Sequence, residues 1–136
     1  MTTTISGSNG IVFPDATSMQ TGQQAVKAWV NFQGTGTVAI RAGYNVASIT
    51  DNGTGDYTVN FTTAMVDINY SFNTSGMNAQ SGDISLSGVG LRADPYPGAS
   101  ASYVMSTTAI RIQARFQHAT TGAAQDHEVI CVSIFR

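Results

Sequence analysis

The fold is decided by residues 46–61, VASITDNGTGDYTVNF. From Tyr57 to Phe61 the odd-numbered residues are apolar and the residues between them are polar. This period of two is typical of a strand with one buried and one wet face. Residues 51–56 contain Asn-Gly, a pair that tolerates the positive φ of a tight turn. The stretch therefore predicts a hairpin between a strand ending near Ile49 and one starting near Tyr57.

The same alternation recurs along the chain, with turn residues between the runs. Further strands are predicted at 37–44, 68–72, 84–87 and 110–116. The first of these predicts a buried face made of Val38, Ile40, Ala42 and Tyr44. Several short strands at this spacing predict an all-β protein, an antiparallel β-sandwich that is jelly-roll-like, with an extended N-terminal segment.

Residues 23–32 allow two interpretations. Val26, Trp29 and Val30 have helical spacing, whereas Ala28, Val30 and Phe32 have strand spacing. The glycine-containing turn at 33–37 favours the strand, with Trp29 on the face opposite to the other apolar residues. Trp29 would then need a cover, and a neighbouring subunit is the candidate. The last run, 129–135, is apolar on both faces through Cys131, which predicts a central strand or one covered by another subunit.

The first 24 residues differ from the rest, and we expect the domain proper to span 25–136. The segment 1–24 is rich in hydroxyls and glycine, and its apolar patch is Ile11-Val12-Phe13. Such a segment cannot form its own core. We therefore predict that it attaches the chain to another protein or associates with copies of itself. The candidate subunit-interface residues are Ile11, Phe13 and Trp29.

Composition excludes several classes of function. The net charge is −2 and the chain has one lysine, so no basic patch exists to neutralise phosphates, and nucleic-acid binding is not expected. No aliphatic run approaches the ~20 residues that span a bilayer, so membrane insertion is not expected. Only 10% of residues are charged, against about 25% in an average soluble domain. A hydroxyl-rich, weakly charged β protein favours extensive contact between subunits.

Four stretches resemble a module that recurs in tail-fibre and virion structural proteins of tailed bacteriophages. They are 27–32 (KAWVNF), 34–41 (GTGTVAIR), 44–46 (YNV) and 49–65 (ITDNGTGDYTVNFTTAM). Upstream, 10–15 (GIVFPD) resembles a short segment that often precedes the module. The resemblance is specific for about residues 10–65, and beyond them it is a matter of strand spacing.

The resemblance implies a β-sandwich-like unit that assembles as a homotrimer on a virion. Its N-terminal segment would attach to other virion proteins of the tail, baseplate or capsid, and its C-terminal part would face outward. The chain begins with its own Met1 and carries no long shaft, which is a departure from longer members. A separate short fibre, a tip piece and a capsid decoration protein therefore remain open.

Catalysis and metal binding have weak support. The sequence lacks a Gly-x-Ser-x-Gly elbow and a phosphate-binding Gly-x-x-x-x-Gly-Lys-Ser/Thr loop. Most of its eight acidic residues lie in predicted turns, where Asp usually bonds to the backbone. We interpret His118 and His127 as surface histidines at loop ends and Cys131 as a buried, inert thiol. No enzyme activity, metal or cofactor is expected.

Residues 92–103, RADPYPGASASY, are the best binding candidate. Two prolines stiffen the backbone around Tyr96, and tyrosine offers both a flat apolar face and a hydroxyl. The candidate contact residues are Arg92, Asp94, Tyr96 and Tyr103. We hypothesise that this loop and residues 74–82 form part of a surface that contacts host glycans. The alternative is that the tyrosines pack on the parent domain or on a neighbouring subunit.

Three classes of function follow from the sequence. The first is a trimeric tail fibre or receptor-binding module. The second is a capsid decoration or cement protein, also called a head fibre. The third is a tail enzyme that degrades surface polysaccharide, which the number and placement of the acidic residues disfavour.

Replacing Tyr96 by Ala tests the loop hypothesis. If the ring contacts the host, adsorption to host cells falls while the trimer persists, because an exposed loop tyrosine contributes to binding rather than to folding. Adsorption is measured by counting unbound particles. A folded variant that adsorbs like the parent would remove this loop from consideration.

Overall fold

Every regular element in the described part of the chain is a β-strand. The computed structural model describes residues 4–6, 10–12, 18–19, 26–77, 87–91, 105–117 and 122–136, with side chains for 26–77, 105–115 and 123–136. The strands are β1 (Thr4–Ser6), β2 (Gly10–Val12), β3 (Ser18–Met19), β4 (Val26–Gln33), β5 (Ala39–Tyr44), β6 (Val46–Gly53), β7 (Asp56–Phe61), β8 (Ser71–Met77), β9 (Ser87–Leu91), β10 (Ala109–Gln117), β11 (Gly122–Ala124) and β12 (Val129–Phe135). No helix among these residues has the length and apolarity needed to cross a membrane.

The N-terminal strands form a small antiparallel sheet of their own, in the order β1-β2-β3. Its register pairs Ile5 with Ile11 and Ile11 with Met19, which places three apolar residues in one cross-strand row.

Two larger antiparallel sheets form the sandwich. The front sheet has the order β5-β4-β12-β8. The back sheet has the order β6-β7-β10, and β10 also pairs with β9 and β11. The strand interpretation of residues 23–32 is confirmed, since they contribute most of β4. The prediction of a central strand at 129–135 is also confirmed, because β12 lies between β4 and β8.

The core lies between the two sheets and is built by alternation. Four strands each contribute three buried side chains: Ala28, Val30 and Phe32 from β4; Ile130, Val132 and Ile134 from β12; Tyr57, Val59 and Phe61 from β7; and Ile110, Ile112 and Ala114 from β10. Phe32 and Tyr57 meet edge to face across the interior, with ring centroids 5.3 Å apart. Burial of each large side chain contributes about 1.5–3 kcal/mol. The prediction of an antiparallel β-sandwich is confirmed.

The predicted buried face of residues 37–44 is wrong. Val38 packs against the core, but every residue of β5 is exposed, including Ile40 and Tyr44. The reason is that β5 is an edge strand of the front sheet, where it pairs with β4. Side chains on both of its faces are exposed. The alternation in this stretch therefore does not correspond to burial.

A bulge interrupts the pairing of this edge strand. Asn31 pairs with Ala42 and Phe32 pairs with Ile40, so Arg41 is an extra residue without an opposite on β4. The Arg41 guanidinium donates to the Gln33 side-chain oxygen at 3.2 Å. A bulge of this kind bends the strand and disturbs its outer hydrogen-bonding row.

The strand predicted at 68–72 lies later in the chain than expected, at Ser71–Met77. It begins at Ser71, while Ile68 lies in the preceding loop and is exposed. Tyr70 is buried, and its hydroxyl donates to the Ser106 carbonyl at 3.1 Å. Burial raises the pKa of Tyr70 to about 12. Of the strand predicted at 84–87, Ser87 begins β9, and 84–86 lie outside the described residues.

The predicted hairpin forms between β6 and β7. However, β6 continues to Gly53, and the turn is made by Thr54 and Gly55 instead of Asn52 and Gly53. Gly53, at the end of β6, and Gly55, in the turn, have φ of 127° and 65°. A Cβ atom on Gly55 would lie 2.4 Å from the Ala114 carbonyl oxygen, a distance at which the backbone must shift. Gly36, in the turn between β4 and β5, has nearly the same φ of 64° but open space around it.

These two glycines form a matched pair for a stability test. Gly36→Ala should cost about 1–2 kcal/mol, the cost of the left-handed conformation alone. Gly55→Ala adds the clash and should cost about 4 kcal/mol or more. Urea denaturation of both variants measures the difference. Equal losses would show that the hairpin turn relaxes freely.

Candidate functional site

Asn45 makes the step from the front sheet to the back sheet, between β5 and β6. It has φ of 56°, a left-handed conformation that asparagine adopts more readily than most residues. Its side-chain amide donates to the carbonyls of Lys27 and Thr63 at 3.0 and 3.1 Å, and its side-chain oxygen accepts from the Thr63 N–H at 2.7 Å. The Asn45 carbonyl accepts from the Thr62 N–H at 3.2 Å. One residue therefore fixes three segments to one another.

These segments line an open cleft of about 550 Å³. Its apolar side chains include Val26, Met65 and Val66, and Val66 is almost fully exposed. The polar lining comes from Lys27, Tyr44, Asn45, Thr62, Thr63 and Arg136. The cleft therefore combines an aromatic ring, two hydroxyls and two cations around an apolar part.

The two cations of the cleft differ in their partners. Arg136 forms an ion pair with Asp67 and donates to the Asn69 carbonyl at 2.9 Å. Lys27 is half-buried, and its ammonium has no hydrogen-bond or ion-pair partner among the residues that the structure describes. Lys27 is the single lysine of the chain. Among the described residues, Lys27 is therefore the cation of the cleft that has no partner.

The outer face of the front sheet is nearly free of charge. In its four strands the charged residues are Lys27, at the start of β4, and Arg41, in the bulge. Trp29 and Tyr44 lie directly opposite each other on β4 and β5, with 39% and 59% of their surface exposed. Their cross-strand row continues through small polar residues, Ser133 on β12 and Asn73 on β8.

The outer face of the back sheet has a different chemistry. The Asn60 side chain donates to the hydroxyls of Ser48 and Thr50 at 3.1 and 3.0 Å. Arg111 makes two hydrogen bonds of 2.7 Å to the Asp56 carboxylate, an arrangement that fixes both groups. This face is polar and internally hydrogen-bonded, and the Asp56 carboxylate on it is buried.

The opposite end of the sandwich from Asn45 is closed by Asp126. Its Oδ1 atom accepts from the Gly55 N–H at 2.7 Å and from the Tyr57 hydroxyl at 2.6 Å. The same hydroxyl lies 3.0 Å from the Gly34 carbonyl oxygen. Burial, together with the Asp126 carboxylate, raises the pKa of Tyr57 above its ordinary range.

The expectation that His127 lies on the surface is wrong. Its side chain is completely buried, and neither ring nitrogen has a hydrogen-bond partner among the described residues. The cause is the backbone: the His127 carbonyl accepts from the Gly34 N–H at 2.9 Å, which draws this loop onto the turn after β4. Burial lowers the pKa of His127, and the adjacent Asp126 carboxylate opposes part of that effect.

The structure places the other candidate residues as follows. Trp29 lies on the exposed face of the front sheet, opposite to the core residues of β4, as predicted. Ile11 lies on β2, whereas Phe13, His118 and the whole loop 92–103, with Arg92, Asp94, Tyr96 and Tyr103, fall outside the described residues. Residues 74–82 were predicted to form a surface together with this loop, and the first four of them belong to β8.

The thiol and the acidic residues are also located. Cys131 is half-buried on the outer face of β12, where Sγ accepts from the Asn31 side chain at 3.3 Å, so it is less buried than expected. Within the part of the chain that the structure covers, no three His, Cys, Asp or Glu side chains form a possible metal site.

The sequence argument missed the cleft. Lys27, Asn45 and Arg136 are far apart in the chain and meet only through the sheet topology. One local signal was present: Asn45 separates two strand-like runs, and asparagine is a residue that tolerates the left-handed conformation of a strand junction. Comparison with protein-family models, curated proteins and solved structures finds no match to this chain.

The burial of His127 predicts an acid-sensitive fold. Below the ordinary pKa of 6.5, the unfolded chain binds a proton that the folded chain takes up only at lower pH. The free energy of unfolding should therefore decrease as pH falls through and below that value. Urea denaturation at about pH 7.5 and about pH 5.5 measures the decrease.

His127→Leu is the control for this titration. It removes the titrating ring and two unpartnered nitrogens at similar volume, so it should keep or raise stability at neutral pH. Its stability should also change less on acidification. An equal loss in both proteins would assign the acid sensitivity to other groups.

Proposed function

We propose that this chain is a non-enzymatic structural protein of a bacteriophage virion, a homotrimeric tail-fibre or receptor-binding module. In this proposal residues 1–24 attach it to other virion proteins, and the sandwich contacts the host surface. The resemblance of residues 10–65 to tail-fibre modules supports the proposal. The observation that carries it is the outer face of the front sheet, which is nearly free of charge and has Trp29 exposed on it.

The front face has the composition of a subunit interface. Interface cores are depleted of charged residues and enriched in tryptophan and tyrosine. Trp29 matches this pattern, and the outer face of the same sheet adds Phe135 from β12 and Met77 from β8. The back face, with Asp56 and Arg111 on it, does not match. The contrast within one sandwich indicates which face a second copy would cover.

The N-terminal sheet supports self-association independently. Its strands have three, three and two residues, too few for a sheet that is stable alone in water. The cross-strand row of Ile5, Ile11 and Met19 supplies apolar residues that copies of the segment, or a virion partner, would cover. This arrangement agrees with an attachment or trimerisation role for residues 1–24.

A capsid decoration protein is the second candidate. The same interface and the same N-terminal segment would serve on a capsid surface. Mass spectrometry of separated heads and tails distinguishes the capsid from the tail location directly. A polysaccharide-degrading enzyme is the third candidate, which would be revived by new reducing ends after incubation of the protein with host polysaccharide.

The described carboxylates give the enzyme little support. Asp56 is held by Arg111 in two hydrogen bonds, and Asp126 is held by Gly55 and Tyr57. Glycosidase chemistry needs two carboxyl groups about 5–10 Å apart that are free to act on a substrate. Both of these acids have structural partners instead.

Light scattering of the purified chain tests the trimer. We expect a mass of three times 14.2 kDa. Trp29→Lys should shift the protein toward monomer, because it would bury an unpaired ammonium in the proposed interface. Thr50→Lys is the matched control on the outer face of the back sheet, and it should leave the mass unchanged.

Two outcomes would contradict the proposal. One is a parent protein that is monomeric at all concentrations tested. The other is dissociation by Thr50→Lys with no effect of Trp29→Lys, which would assign the interface to the back sheet. Circular dichroism of each variant confirms that the sandwich is folded.

A further inference from the structure

The geometry points to a binding site for an acidic sugar in the cleft at Asn45. In this assignment the sugar carboxylate meets the Lys27 ammonium, and an apolar face of the ring lies against Tyr44. The inference rests on the proposed function as a receptor-binding module and names the ligand class and its site. None of its residues belongs to the stretch 92–103.

The aromatic part of the argument is the exposure of Tyr44. With 59% of its surface exposed, this ring is far more accessible than the core tyrosines Tyr57 and Tyr70. A sugar ring has C–H groups on its faces and hydroxyls around its rim, so an exposed tyrosine suits it through both its flat surface and its hydroxyl. The exposed hydroxyl residues Thr62 and Thr63 line the same cleft and supply further polar contacts.

The charge of the site selects an acidic ligand. Arg136 is neutralised by Asp67, whereas Lys27 has no partner among the described residues. These side chains leave the cleft with one positive charge in a chain of net charge −2. An ammonium in a partly enclosed cleft attracts a carboxylate more strongly than one fully in water, because the local dielectric constant is lower. A neutral sugar would leave this cation without a counter-charge.

The cleft is also held in shape before any ligand arrives. Asn45 fixes the start of β4, the junction after Tyr44 and the loop at 62–63 through its own hydrogen bonds. It does so in a left-handed conformation, which a non-glycine residue keeps only when its surroundings support it. A site that is already ordered loses less entropy on binding.

Saturation-transfer NMR on the full-length protein tests the inference. The probes are D-glucuronic acid and D-glucose, which differ in one carboxylate, at neutral pH and equal ionic strength. We expect glucuronate to bind at least about fivefold more tightly than glucose, since a partly screened ion pair contributes on this scale.

Variants assign the effect to the cleft. Lys27→Gln should reduce glucuronate affinity to the level of glucose, and Lys27→Arg should retain most of it. Arg41→Gln is the matched control, because it removes one exposed cation outside the cleft and changes the net charge equally. Tyr44→Ser should weaken binding of both sugars.

Four results would overturn the inference. They are no saturation from glucuronate, equal binding of the two sugars, an unchanged Lys27→Gln variant, and an equal loss in Arg41→Gln. Light scattering on the same samples separates this inference from the proposed function. A trimer that does not bind glucuronate would refute only the binding site at Asn45. A monomer that binds glucuronate would refute only the trimeric assembly.

Discussion

The carboxylate of Asp126 is the constraint on which one end of this sandwich depends. It accepts from the Gly55 N–H in the hairpin turn and from the Tyr57 hydroxyl on the back sheet. Through that hydroxyl it also approaches the Gly34 carbonyl at the end of β4 in the front sheet. Hydrogen bonds to a carboxylate acceptor are stronger than those to a neutral one, so this one group fixes the loop between β11 and β12 to the hairpin turn and to β7. The Tyr57 ring, held in this way, meets Phe32 in the core.

The other end is organised by an amide instead of a charge. Asn45 holds three backbone segments through its side-chain amide, and Lys27 has no partner among the described residues. The two ends therefore have different chemistry: a closed, hydrogen-bonded end around Asp126 and an open cleft around Asn45. This division leaves the stability of the sandwich largely independent of the residues proposed to bind a ligand.

Sequence reasoning succeeded where local chemistry determines structure. The hairpin at 46–61 was predictable because alternation and a glycine-containing turn signal occur together within sixteen residues, although the turn itself is Thr54-Gly55. The exposure of Trp29 was predictable because Trp29 alternates along β4 with the buried residues Ala28, Val30 and Phe32. Alternation does not, however, tell whether a strand lies at an edge, and so the burial assigned to β5 was wrong.

Two further features of the structure were not predicted, for a different reason. Burial of His127 depends on a backbone hydrogen bond to Gly34, more than ninety residues away, and no local pattern encodes it. The cleft depends on the meeting of Lys27 with Arg136, which requires β4 and β12 to pair. Both features arise from topology, which alternation alone left open.

The extra residue Arg41 in β5 has a consequence for how copies of this chain can pack. A regular edge strand would offer its free N–H and C=O groups to the next molecule, and sheets could then extend without limit from copy to copy. Here the kink and its guanidinium group interrupt that row in the middle of the strand. Growth through strand pairing at this edge is therefore disfavoured, and the proposed contact between copies uses the face around Trp29 instead of a strand edge.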